Sequence, residues 1–184
     1  GLEFRRVLFR SMAAGGYHNL AIRASGSVVA WGANEDGQCN VPPDTGLVMA
    51  VAAGDRHSLA LRADGTVIAW GDNSRGQTDV PAGLTNVTAV VAGGTHSLAL
   101  RADGTVVAWG NNYNGNGPFA GQSVVPPDAH KVMAIGAGAY HSLAVRQDGT
   151  ITTWGDNTQG QRNVPQGLGG QMAVTGGGGH SLAL

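Results

Sequence analysis

The sequence predicts an all-β chain, a β-propeller fragment of about four four-stranded blades. Three observations carry this. His18, His57, His96, His141 and His180 each stand three residues after a glycine, at spacings of 39, 39, 45 and 39. Trp31, Trp70, Trp109 and Trp154 each follow their histidine by 13 residues and are themselves followed by glycine. Between these marks apolar residues alternate with a period of two, and helical periodicity is missing. Short strands recurring every 40 residues or so form propeller blades.

One unit, Val51–Pro81, shows the elements in order. In HSLALR, Leu59 and Leu61 point one way and Ser58 and Ala60 the other, as in a strand. Asp64-Gly65 supplies a tight hairpin turn. TVIAW is the partner strand, rich in β-branched residues. A polar Asn/Gly loop follows, then a short strand around Val80 that ends at Pro81. TAVVAG, a further strand, leads into the next histidine. Small or apolar residues occupy both faces of each strand, as in sheets buried on both sides. The spacing of 45 has one source. Tryptophan to the recurring glutamine (Gln38, Gln77, Gln122, Gln161) is 7 residues in three units and 13 between Trp109 and Gln122.

Composition sets outer limits. Glycine is abundant, 31 of 184 residues, without a triplet period, which means many turns and no fibre. A single cysteine, Cys39, excludes a disulfide framework and a thiolate-cluster metal site. The formal charge of −1 argues against nucleic acid as a partner, and no apolar run is long enough for a transmembrane helix. Gly1–Ser11 (GLEFRRVLFRS) carries three of the eleven basic residues and no repeat feature. Its Val-Leu-Phe-Arg-Ser is also what a short-read sequencing adapter encodes in one frame. Residues 1–11 are therefore read as a non-native or artefactual leader on a metagenomic fragment, and 12–184 as the repeat array of one incomplete propeller.

AAGDRHSLAL followed by WGDNSRGQ resembles the regulator-of-chromosome-condensation repeat family. The resemblance covers Met12–Leu184 and implies a seven-bladed ring, of which this chain would hold just over four units. Its compact units with GQ-x-x-VP resemble the bacterial type that includes a propeller inhibitor of β-lactamases. That type implies a non-enzymatic scaffold for a protein partner, with a secreted or cell-surface location favoured over a cytoplasmic one. Two alternatives stay open: a regulatory propeller attached to a larger enzyme or signalling protein, and a nucleotide-exchange factor for a small GTPase. Units of 39 residues leave no space for the exchange factor's wedge hairpin.

The repeated residues read as structural. Metal ligands must converge on one point, whereas equivalent positions on successive blades diverge around an axis. The five histidines are expected to be buried imidazoles bonded to backbone. The four tryptophans are expected to pack between blades. Arg23, Arg62, Arg101 and Arg146 are expected to pair with nearby aspartates such as Asp64 and Asp103, and the glutamines to latch loops to a neighbouring blade. No cofactor, metal or catalytic group is expected.

Variation marks the candidate site. The Gly-x-x-His turns and the loops after tryptophan must share one end of the blades, because connections alternate between ends in an up-and-down sheet. The hairpins at the other end are monotonous (ASG, ADG, ADG, QDG). Function concentrates on loops held by a rigid scaffold, and interface anchors favour Tyr and Arg. Tyr17, Arg56, Arg75, Tyr113, Phe119 and Tyr140 are therefore expected to line one exposed face and bind a protein partner. A ring cut open should also self-associate through its bare blade faces.

Overall fold

The computed structural model describes residues 9–184. Four antiparallel sheets of three strands follow one another along the chain, then a smaller two-stranded one. Blade one is β1 (Phe9–Ala14), β2 (His18–Arg23) and β3 (Val28–Gly32). Blade two is β4 (Val48–Ala53), β5 (His57–Arg62) and β6 (Val67–Gly71). Blade three is β7 (Val87–Ala92), β8 (His96–Arg101) and β9 (Val106–Gly110), and blade four β10 (Val132–Ala137), β11 (His141–Arg146) and β12 (Ile151–Gly155). The fifth sheet holds β13 (Val174–Gly176) and β14 (Ser181–Ala183).

Each blade thus forms three strands where four were expected. The expected strand around Val80 is an irregular edge. Its backbone groups close tight turns: Val80 N–H bonds the Thr78 carbonyl at 2.9 Å, and Leu84 N–H bonds the Pro81 carbonyl at 3.2 Å. Pro81 has no N–H to give a ladder. Val80 still packs against the core, as do Val41 and Val125 in the same role.

The first blade begins at Phe9, so Phe9–Ser11 of the expected leader lie inside β1, where Phe9 pairs with Arg23 and Ser11 with Ile22. Residues 1–8, the rest of that leader, lie outside the described residues.

First strands line the axis. Gly16 N–H donates to the Gly54 carbonyl at 3.1 Å, Asp55 to Gly94 at 3.1 Å, Gly94 to Ala139 at 3.2 Å and Ala139 to Gly177 at 3.2 Å. The glycine that precedes each of these turns, Gly15, Gly54, Gly93 or Gly138, has no space for a side chain against the next blade. A Cβ on Gly54 would overlap the His57 ring and stand 2.6 Å from the Gly93 carbonyl oxygen. The core lies in the seams between blades. Leu98, Leu100, Val132, Ile135, Ala144 and Trp154 fill one such seam. Middle strands are buried on both faces, Ser58, Leu59, Ala60 and Leu61 alike. This is why small residues alternate with large ones: each blade presents both faces to a neighbour.

Candidate partner-binding face

The histidines form the deepest part of the scaffold. His18 Nε2 lies 2.8 Å from Ser58 Oγ, His57 3.0 Å from Ser97, His96 2.9 Å from Ser142 and His141 2.9 Å from Ser181. The expected backbone partner is therefore replaced by a serine hydroxyl one blade on. Each serine passes its own hydrogen to a glutamine carbonyl, as Ser58 does to Gln38 at 2.8 Å and Ser97 to Gln77 at 2.9 Å. The same carbonyl receives an indole N–H, from Trp70 to Gln38 and from Trp109 to Gln77, both at 2.9 Å. Trp154 repeats this on Gln122. Three tryptophans are buried this way, while Trp31, on the first blade, is 45% exposed. Serine stands directly after four of the five histidines, and that recurrence was the available signal.

The glutamines divide their work. Their carbonyls reach the next blade, but their side chains brace their own loops. Gln77 Oε1 accepts the Arg75 N–H at 2.9 Å, and Gln77 Nε2 donates to Asp72 at 2.7 Å. The expected pairing of Arg62 with Asp64 does not form. Arg62 donates to the Thr45 and Asp44 carbonyls instead, at 3.0 and 2.9 Å. Asp64 accepts the N–H and hydroxyl of Thr66, which lower its pKa, and Thr105 does the same to Asp103. Two residues along a tight turn are closer than a guanidinium on the strand before it. Arg146 does find a carboxylate, Asp128, at 2.9 Å.

Turns and loops meet at one end of each blade. Ala33 N–H donates to the Tyr17 carbonyl, Asp72 to Arg56, Asn111 to Thr95 and Asp156 to Tyr140, at 2.8–3.0 Å. The hairpins, Ser25-Gly26 in the first blade and Asp-Gly in the others, lie at the other end, where Gly26, Gly65 and Gly104 carbonyls receive the N–H of Val48, Val87 and Val132 on the next blade.

On the loop end the sequence-predicted residues fall into two groups. Arg56 links the first two blades: its Cζ lies 5.5 Å from the Tyr17 ring centroid, and Nη1 lies 3.0 Å from Asp36 Oδ2. Tyr17 is 62% exposed. Asp36 was not among the expected residues; only its place two before Gln38, in a variable loop, hinted at it. The second group surrounds the six extra residues. Tyr113 and Phe119 form an isolated antiparallel bridge, with rings edge to face at 5.7 Å. Phe119 is 63% exposed. The Tyr140 hydroxyl comes close to Gly115, where a Cβ would stand 3.5 Å from it. Arg75 reaches this loop from blade two, Nη2 to Asn116 Oδ1 at 2.8 Å.

Among the described residues no group of three or more His, Cys, Asp or Glu is placed to hold a metal ion, and no helix is long and apolar enough to cross a membrane.

Comparison with known proteins agrees with this geometry. The sequence model of the regulator of chromosome condensation (RCC1) repeat matches residues 9–38, 49–77, 87–116 and 133–161. Among curated proteins no match is found. Among solved structures the chain is similar to human WBSCR16, with a TM-score of 0.77 at 20% identity, covering 100% of this chain and 59% of that one. It is also similar to the CRINKLY WD40 ectodomain of the Arabidopsis thaliana receptor kinase ACR4, with a TM-score of 0.70 at 22% identity over 94% of this chain and 57% of that one. Prp20p from Saccharomyces cerevisiae gives a TM-score of 0.66 at 18% identity, over 96% and 69%. The chain thus spans less than two thirds of the first two, and these likenesses speak for the fold. The fold is a type that serves as a scaffold for protein interaction, and its family is generally non-catalytic. Four registered repeat matches, each falling on one three-stranded blade, place this chain in the regulator of chromosome condensation (RCC1) repeat family.

Proposed function

We propose that the chain is a non-enzymatic scaffold that binds a protein partner on its loop end, through Tyr17, Arg56, Arg75, Tyr113, Phe119 and Tyr140. The observation that carries this is the pair of bridges between blades, Arg56 to Tyr17 and Asp36, and Arg75 to Asn116. They hold exposed aromatic side chains on a preordered surface, which lowers the entropy cost of binding.

Charge supports the same end and suggests the partner's character. The loop end carries Glu35, Asp36, Asp55, Asp72, Asp79 and Asp156 against Arg56, Arg75 and Arg162. The hairpin end is balanced, Arg23, Arg62, Arg101, Lys131 and Arg146 against Asp44, Asp64, Asp103, Asp128 and Asp148. The net charge of −3 over residues 12–184 thus belongs to one end, and a partner with a basic surface suits it. The yeast homologue structure concerns Prp20p and its binding to Gsp1p and histones, and another shows it bound to Kap60, so family members bind proteins.

The test is a pull-down with the wild-type chain as bait. Tyr113→Ala and Tyr140→Ala should abolish capture of the partner without lowering the melting temperature. Asp148→Asn, at the other end, should leave it intact. Capture that survives both tyrosine changes would refute the site.

A further inference from the structure

Asparagine followed by glycine occurs twice in the chain, at Asn114-Gly115 and Asn116-Gly117, and both steps lie in the lengthened loop between Trp109 and Gln122. Such a step is reactive because glycine has no Cβ to screen its amide nitrogen. The nitrogen can attack the Cγ carbonyl of the asparagine before it. The structure treats the two steps differently. Asn114 N–H donates to the Pro118 carbonyl at 3.1 Å, and the Asn114 carbonyl accepts Gly117 N–H at 2.7 Å. These are the rungs of a small hairpin beyond the Tyr113–Phe119 bridge, with Gly115, at a φ of 56°, and Asn116 at its tip. The Gly117 nitrogen is therefore committed to the bond that closes the turn. The Asn116 side chain is held too, since its Oδ1 accepts a hydrogen bond from Arg75 Nη2 at 2.8 Å. Arg75 polarises that carbonyl, yet the nitrogen that must attack it would first have to break the turn. At Asn114 neither partner is held. Among the described residues, neither Gly115 N–H nor the Asn114 side-chain amide has a hydrogen-bond partner.

We propose that Asn114 is a modification site, deamidating through a succinimide formed with Gly115, while Asn116 is protected by the hairpin. Gly115 N gives its proton to hydroxide and bonds to Asn114 Cγ. The Cγ–Nδ2 bond breaks, and Nδ2 takes a proton from water and leaves as ammonia. Water then opens the ring. Cleavage at Cγ leaves aspartate, and cleavage at the main-chain carbonyl leaves isoaspartate, whose backbone is longer by one methylene. Either product adds a negative charge to the end of the blades that already carries the excess. The longer backbone also misaligns the rungs to Pro118 and Gly117, and so loosens the corner that sets Tyr113 against Phe119. This site does not rest on the partner-binding reading.

The test follows the wild-type full chain, folded and in parallel unfolded in guanidinium chloride, during incubation in mildly alkaline buffer. The tryptic peptide Ala102–Lys131 carries both steps, and electron-transfer fragmentation tells Asn114 from Asn116 and aspartate from isoaspartate. In the folded chain Asn114 should convert at least roughly tenfold faster than Asn116, the factor that one hydrogen bond is worth. In the unfolded chain the two rates should converge, because the turn that protects Asn116 is gone. Equal rates in the folded chain overturn the proposal, as does faster conversion at Asn116. So does an Asn114 that stays intact in the folded chain while the unfolded chain is converted.

Discussion

His57 Nε2 stands 3.0 Å from Ser97 Oγ, across the seam between the second and third blades. Ser97 gives its only hydrogen to the Gln77 carbonyl, so the bond must be donated by Nε2–H. That fixes the tautomer and leaves Nδ1 buried without a partner, as it also is in His18, His96 and His141. An added proton at Nδ1 would find no acceptor. The chain therefore ties its blades together with imidazoles that must stay neutral.

Stability should fall as the solution is acidified from neutrality. Burial first, then the neighbouring His18, pushes the His57 pKa down to about 4. Burial, then His57 and His141, pushes His96 down to about 3. The unfolded value is about 6.5, so the unfolded chain binds more protons in between, and stability is present above pH ~6.5 and lost below it. For His57 alone the loss by pH ~4 is on the order of 3 kcal/mol. Urea melts at pH 7.5, 5.5 and 4.5 should show a falling midpoint, and His57→Gln should flatten the dependence. A midpoint constant across this range would contradict the neutral-imidazole seam.

The tryptophan and histidine of one seam should differ in cost. Trp70→Ala removes a buried aromatic and its bond to Gln38, and should lower stability by about 3–5 kcal/mol. His57→Ala strands Ser97 and should cost about 1–3 kcal/mol. Denaturant titration of both variants checks the order. Trp31→Ala, at an exposed position, should cost clearly less than Trp70→Ala.

Gly54→Ala should destabilise although its backbone torsion is ordinary. The added methyl would overlap the His57 ring and press on the Gly93 carbonyl oxygen. Overpacking of this kind costs about 1–3 kcal/mol. Gly83, whose Cβ would meet nothing, is the control for space, although its φ of 75° adds backbone strain of its own. A Gly54→Ala protein as stable as wild type would show that the axis is looser than described.

The isolated chain should self-associate. Met12 and Trp31 on the first blade and Leu182 and Leu184 on the last sheet are all exposed. Apolar faces of this kind mark association surfaces. Sedimentation velocity should show a concentration-dependent coefficient, reduced by Trp31→Ser together with Leu184→Ser. A single monomeric boundary at every concentration would be the opposite result.

The sequence alone determined the repeat. Glycine, histidine and tryptophan at fixed spacing announce a unit whose strands are short and whose faces are both buried, because each blade makes the same contacts with its neighbour and so repeats the same residues at the same interval. Reasoning from connectivity placed Tyr17, Arg56 and Tyr140 at the loop end, since connections alternate in an up-and-down sheet. Only tertiary structure decided who meets whom across a seam. Ser97 lies 40 residues from His57, and Asp36 lies 20 from Arg56. Neither pairing has a local signature, because the residues meet only when blades stack about the axis. Tertiary structure also turned the expected strand at Val80 into an irregular edge. Its Gln77 carbonyl is claimed by Ser97 and Trp109 of the next blade, and a group bonded across the seam cannot also serve a ladder within its own sheet.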